Sequence, residues 1–113
     1  TDKPERFFVN EKLREKILLY YDKEIPYSVE VVTEEFKDEE SIIKIRSIIL
    51  VERESQKGII IGHKGVALKK IGSKARIDLE KFFGKKVFIE LHVKVSKNWR
   101  SNPNQLKKFG YKN

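Results

Sequence analysis

Apolar residues recur every three or four positions along residues 5–21, ERFFVNEKLREKILLYY, with Glu and Lys between them. Val9, Leu13, Ile17 and Tyr20 or Tyr21 then fall on one face, which predicts an amphipathic helix. Asp2 stands where a cap is needed, and Glu5 three residues on makes a near relative of a capping box. Pro26 is expected to close the segment, because proline cannot continue a helix and restricts the residue before it. Residues 28–36, SVEVVTEEF, are β-branched and predict a strand. The cluster KDEE at 37–40 reads as a polar turn, and residues 42–52, IIKIRSIILVE, as a second strand pairing with the first in a hairpin. Ile43, Ile45, Ile49 and Val51 share one face at a period of two.

The period changes again downstream. SQKGIII, residues 55–61, has room for one or two helical turns, with Ser55 as its cap. Residues 66–83, VALKKIGSKARIDLEKFF, place Leu68, Ile71, Ala75, Leu79 and Phe82 on one stripe of a long helix. Gly72 inside it costs about 1 kcal/mol relative to alanine, so it marks close packing or close approach. Gly84 is expected to stop the helix. KVFIELHVKVS, residues 86–96, alternates cleanly. Val87, Ile89, Leu91, Val93 and Val95 face one way, and Phe88, Glu90, His92 and Lys94 the other, which implies a sheet with one covered face. A short helix is expected after Pro103, with Leu106 and Phe109 turned inward. The order helix, strand, strand, short helix, helix, strand predicts an α+β fold, a three-stranded sheet covered on one face by helices.

Charge sharpens this picture. The net charge is +8 over 113 residues, but residues 1–54 carry −4 and residues 55–113 carry +12. Such segregation makes a basic field that attracts polyanions; RNA, DNA and an anionic membrane all fit it, and so does a plain solubility device. There are no cysteines and only two histidines, His63 and His92. Thiolate metal sites, disulfides and a histidine-rich centre are thereby excluded. The acidic run Asp38, Glu39, Glu40 lacks the spaced ligands and glycine bend of a calcium loop. No catalytic residue is assigned: His63 has no carboxylate partner nearby in sequence.

One stretch carries chemistry. In GIIIGHKG, residues 58–65, a greasy run meets a loop bracketed by glycines. Gly62 and Gly65 permit unusual backbone angles and leave no side chain to block a ligand. The helix that follows presents partly positive amides suited to phosphate. Lys64 adds a mobile charge, and His63 a donor or a stacking ring. Some of Ile59, Ile60 and Ile61 must anchor the core, while another is expected to floor an apolar groove with Leu68 or Ile71 opposite. A phosphate-binding loop beside a greasy floor suits extruded single-stranded bases.

A lone G-x-x-G is a weak motif, and its plain alternative is a helix–helix turn. Here it sits in (I/V)-I-G-x-x-G before a basic amphipathic helix, within this order of elements. At this point the sequence resembles a KH domain of the type II arrangement, with a three-stranded mixed sheet. The stretches PERFF, PYSVEV, VERESQKGIIIGHKGVALKKIG and KVFIELHVKVSKNWR together resemble the C-terminal RNA-binding region of the Era family of bacterial GTPases. The resemblance spans about Thr1 to Tyr111. It implies a single KH domain over residues 1–113, with 1–4 a remnant of an interdomain linker and 97–113 a C-terminal tail.

The resemblance also implies a function: binding of single-stranded RNA near the 3′ end of 16S ribosomal RNA, in service of small-subunit assembly. Gly62, His63, Lys64 and Gly65 would form the clamp, and Ile60, Ile61, Ala67, Leu68 and Ile71 the groove. Lys57, Lys69, Lys70, Lys74 and Arg76 are phosphate contacts or simply a solvated helix face. GTP and Mg²⁺ belong to a GTPase domain outside this chain, which has no G-x-x-x-x-G-K-[ST] run, so no cofactor and no catalysis are expected here. Expected partners are RNA, the small ribosomal subunit and that GTPase domain. A monomer in the cytoplasm, partly at the inner face of the membrane, completes the expectation. A KH module of another RNA-binding or transcription protein, and a protein-docking domain, are the alternatives. Trp99 and Tyr111 either stack on bases or pin the tail, and Phe88 either meets the GTPase domain or lies under the tail.

Overall fold

The computed structural model describes residues 3–22 and 24–97. Helix α1 runs over Lys3–Tyr20 and buries Val9, Leu13 and Ile17, the stripe its periodicity predicts. Lys16 is buried with them because its ammonium meets Asp78 at 2.6 Å and Glu15 at 3.0 Å. A short helix α2, Glu24–Tyr27, contains Pro26 rather than being prevented by it. In a first turn the amide that proline lacks has no helical partner to lose. The cap expected from Asp2, and the helix, Trp99 and Tyr111 of the tail, lie outside the described residues.

Strands β1 (Glu30–Asp38), β2 (Ile42–Val51) and β3 (Lys86–Val95) form one mixed sheet in the order β1-β2-β3. The first pair is the expected hairpin, antiparallel with Val31 opposite Ile49; it begins two residues later than its composition implies. The second pair is parallel, with Ile45 opposite Ile89. A parallel neighbour requires a crossover, here helix α3 (Glu54–Ile61), one turn of 3₁₀ helix (His63–Gly65) and helix α4 (Val66–Phe83). Gly84 ends α4 in the left-handed region at φ 74°, as its position predicts.

The helices pack on one face, where Val31, Phe36, Ile43, Ile45, Ile49, Val51, Val87 and Val93 join the stripes of α1 and α4 in the core. Thr33 also lies on that face and is satisfied by the hydroxyl of Ser47 at 2.8 Å and by Asn10 at 2.6 Å. The other face is not uniformly open. Val32, Ile48 and Leu50 are buried there, while Lys44 and Phe88 further along are exposed. One inward assignment changes: Phe82 is 63 % exposed, stacked on Phe8 at 4.0 Å, and its neighbour Phe83 turns instead toward Phe36. At the end of a helix one step of 100° separates an inward ring from an outward one.

Candidate nucleic-acid interface

Helix α3 starts after Arg53, not at Ser55. The Gln56 side chain accepts the amides of Glu52 and Arg53 at 3.0 Å, the reciprocal half of a capping box. Its other end is held by Tyr21, whose hydroxyl donates to the Ile60 carbonyl. Burial pushes the Tyr21 phenol up to about 12. The chain then turns sharply. Gly62 has φ 75° and ψ −180°, a region open essentially to glycine alone. Lys64 at φ 54° and Gly65 at φ 76° follow in the left-handed region. A Cβ on Gly62 would stand 2.7 Å from that of Ala67, whereas one on Gly65 would meet nothing within 4 Å. His63 and Lys64 are exposed at the tip.

Beside this loop a cavity of about 480 Å³ runs between α4 and β3, lined on one side by Gly65, Leu68, Lys69, Gly72, Ser73 and Arg76. Val87, Phe88, Ile89 and Leu91 line the other side. Gly72 earns its place by close approach, since a Cβ there would lie 3.3 Å from Leu91 Cδ1. Among the described residues β3 pairs only with β2, so its outer edge faces the cavity. The Val87 amide points that way, donating to the Glu80 carboxylate at 3.0 Å, while the Ser96 amide donates inward to Val51 at 2.8 Å. Alternate residues of a parallel strand aim both peptide groups at the same side. Ile89 and Leu91 therefore present N–H and C=O to the cavity. Arg76 sits 3.4 Å from Glu80, one turn further along α4.

The expected site residues divide. Gly62, His63, Lys64 and Gly65 form one continuous turn, and Leu68 and Lys69 line the cavity. Ile60 and Ile71, expected in the groove, are 0 % exposed and belong to the core. Ile61 is half-buried against that core, Ile59 faces outward, and neither lines the cavity. Ala67 is half-buried behind Gly62. Lys70 lies over the Tyr20 ring at 4.5 Å, on the α1 side of α4. Lys57 is half-buried on α3 and Lys74 exposed on α4; neither lines the cavity. Periodicity finds a stripe but not which flank of it meets a neighbour. The lining residues it missed, Ile89 and Leu91, carry a signal only once β3 is known to be an edge strand.

Known proteins repeat this arrangement. Residues 24–100 match the family described as KH domain. GTPase Era of Syntrophus aciditrophicus is 55 % identical over 113 residues, and that of Geotalea uraniireducens 54 % over 112. Each alignment covers 98 % of this chain, which spans only 37 % and 38 % of those relatives. A solved structure of Era in complex with MgGDPNP and nucleotides 1506–1542 of 16S ribosomal RNA matches with a TM-score of 0.85 and 41 % identity, over 97 % of this chain and 37 % of that one. A GDP·AlF4⁻-bound Era of Aquifex aeolicus matches equally well over 98 % and 38 %. The chain belongs to the KH domain family, in the form found in proteins called GTPase Era.

Proposed function

We propose that this chain binds single-stranded RNA along the cavity between α4 and β3, with Gly62-His63-Lys64-Gly65 clamping the backbone. The reading rests above all on the outer edge of β3, which pairs with no further strand among the described residues: the peptide groups of Ile89 and Leu91 offer donors and acceptors to base edges, beside an apolar wall of Leu68 and Leu91. Glycines at the loop let a phosphate approach the backbone, and the start of α4 favours negative charge. Lys64, Lys69 and Arg76 supply the salt-sensitive phosphate contacts. From Gly65 to Arg76 the helix rises about 16 Å at 1.5 Å per residue. That span suits the roughly four nucleotides a KH groove accommodates.

The RNA is the 3′-terminal region of 16S ribosomal RNA, by likeness to the Era complex with nucleotides 1506–1542. The chain acts as the RNA-binding part of an Era-type GTPase in small-subunit assembly, with GTP and Mg²⁺ handled by the part of such proteins that lies outside it. Cytoplasmic location, partly at the membrane face, accompanies that role. Titration of the chain with RNA covering the 16S 3′ end and with a scrambled sequence tests the reading. The matched RNA should bind more tightly, and affinity should fall as salt rises. His63→Asp with Lys64→Asp should abolish binding without unfolding the protein, because loop carboxylates repel phosphates. Normal binding by that variant would place the clamp elsewhere, and equal binding of both RNAs would remove the sequence preference.

A further inference from the structure

The cavity has an end as well as a mouth, and the end is built from unlike parts. Beyond Leu91 and Ile89, the Val87 amide that would serve the next base is already taken by Glu80 at 3.0 Å. The Glu80 carboxylate therefore blocks a strand running straight on, by occupying the donor. At the same end Phe88 lines the cavity although its position in the strand directs it to the opposite face of the sheet, and it is 54 % exposed. Its cross-strand partner is Lys44, and Lys86 stands two residues away on the same face. Lys44 is also 3.5 Å from Glu39, while Lys86 is exposed and has no ion-pair partner among the described residues. Glu90, the next residue on that face, is engaged by His92 at 2.6 Å and lies 3.9 Å from Arg46.

We infer that Phe88 is a stacking platform for one further nucleotide, which leaves the groove over the edge of β3 with its phosphate toward Lys86 and Lys44. This rests on the groove reading and extends it from about four nucleotides to five. Every base has a π-face, so an exposed ring continuous with a groove and flanked by lysines accepts any base while adding affinity. Continuity with the cavity and the cations beside the ring point to the RNA strand itself as the occupant.

The test uses nested RNAs of four, five and six nucleotides taken from nucleotides 1506–1542 of 16S RNA, extended separately at the 5′ and 3′ ends. Extension at one end only should tighten binding by about five-fold or more, in line with measured base–aromatic stacking. Phe88→Ala should abolish the gain from the added nucleotide, so that this variant binds the longer RNA no more tightly than it binds the four-nucleotide one. Phe88→Trp should retain the gain, and an abasic nucleotide at the first added position should remove it. Equal weakening of short and long RNAs by Phe88→Ala would make the ring a wall of the groove, and no effect on either would make it a bystander; both overturn the inference. The groove reading itself fails in a different way, with the short RNA unbound or indifferent to His63→Asp and Lys64→Asp, and takes this subsite with it. Phe88 is exposed, so the variants should fold, which thermal melting checks.

Discussion

The Tyr21 hydroxyl, one residue past the end of α1, donates to the Ile60 carbonyl in the last turn of α3. The final carbonyls of a helix have no partner within it, so this bond satisfies one of them from a different helix. Its position matters for the loop. Gly62, two residues on, begins the turn, and its amide still bonds back to Gly58 at 2.9 Å. The clamp thus hangs from a helix end that α1 holds in place.

Tyr21→Phe should lower stability by about 1 kcal/mol, the net worth of a typical hydrogen bond, more if water cannot replace it. RNA affinity should fall modestly, because a looser α3 end leaves the loop less ordered. The pH dependence follows from the raised phenol. The stabilisation is complete below the ordinary tyrosine value of 10.0 and is lost as pH rises from there through about 12. Urea denaturation across that alkaline window should show a decline in the wild type that Phe removes, and absorbance titration should find one tyrosine ionising late.

The two loop glycines should respond differently to alanine. Gly62→Ala forces a side chain into a backbone region nearly closed to it, at about 1–3 kcal/mol, and also drives a Cβ to 2.7 Å from that of Ala67. Ala67 is in the first turn of α4, so the loop must open. Gly65→Ala pays only the left-handed penalty, about 1–2 kcal/mol, with no clash. Gly62→Ala is expected to lose most RNA binding and the larger share of stability. Gly65→Ala is expected to keep partial binding, weakened by a methyl at the cavity mouth. Melting curves and RNA titrations of the two variants read both effects.

Much of this was legible in the order of apolar residues. Val9, Leu13 and Ile17 announce α1, Gly84 its counterpart's end, and Gly62 to Gly65 the turn, because these follow from local periodicity and from backbone angles only glycine adopts freely. The groove was harder. Ile60 and Ile71 lie on the same apolar stripes as residues that do reach the surface, and the rotation of a helix about its axis is settled by tertiary packing, not by spacing. Lys69 and Lys70 are neighbours in sequence yet face a cavity and a tyrosine ring respectively. The peptide groups of Ile89 and Leu91 became candidates only through the strand order, which places β3 at an edge. Glu80 reaching Val87 across the α4–β3 turn has no sequence signature at all.

The ion pair between α1 and α4 should be visible in acid. Lys16 hydrogen-bonds Asp78 and so holds its carboxyl below the ordinary value of 3.8; Asp78 and Glu15 in turn raise the Lys16 ammonium. A lowered carboxylate contributes stability that is present above its unfolded value and is lost as pH falls through the folded one. Asp78→Asn should therefore cost about 1 kcal/mol near neutral pH, a partly exposed pair being worth little more. The difference from wild type should shrink as pH falls below the ordinary value of 3.8, where the unfolded and then the folded carboxyl protonate. Denaturation at the two pH values checks the sign; a difference that grows in acid would mean the pair does not lower the Asp78 carboxyl.

Gly72 separates stability from function most cleanly. Alanine there should gain about 1 kcal/mol of helix propensity in α4. Its Cβ would stand 3.3 Å from Leu91 Cδ1, the end of a flexible side chain on a half-buried edge residue, which can turn aside into the cavity. The fold then loses little, and the two effects should leave stability within about 1 kcal/mol of wild type or slightly above it. The groove loses width where a base would lie between α4 and the peptide groups of β3. RNA affinity should drop several-fold while the melting temperature holds or rises. If Gly72→Ala binds RNA as tightly as the parent, bases do not enter between Gly72 and Leu91, and the groove must be read as ending nearer the loop.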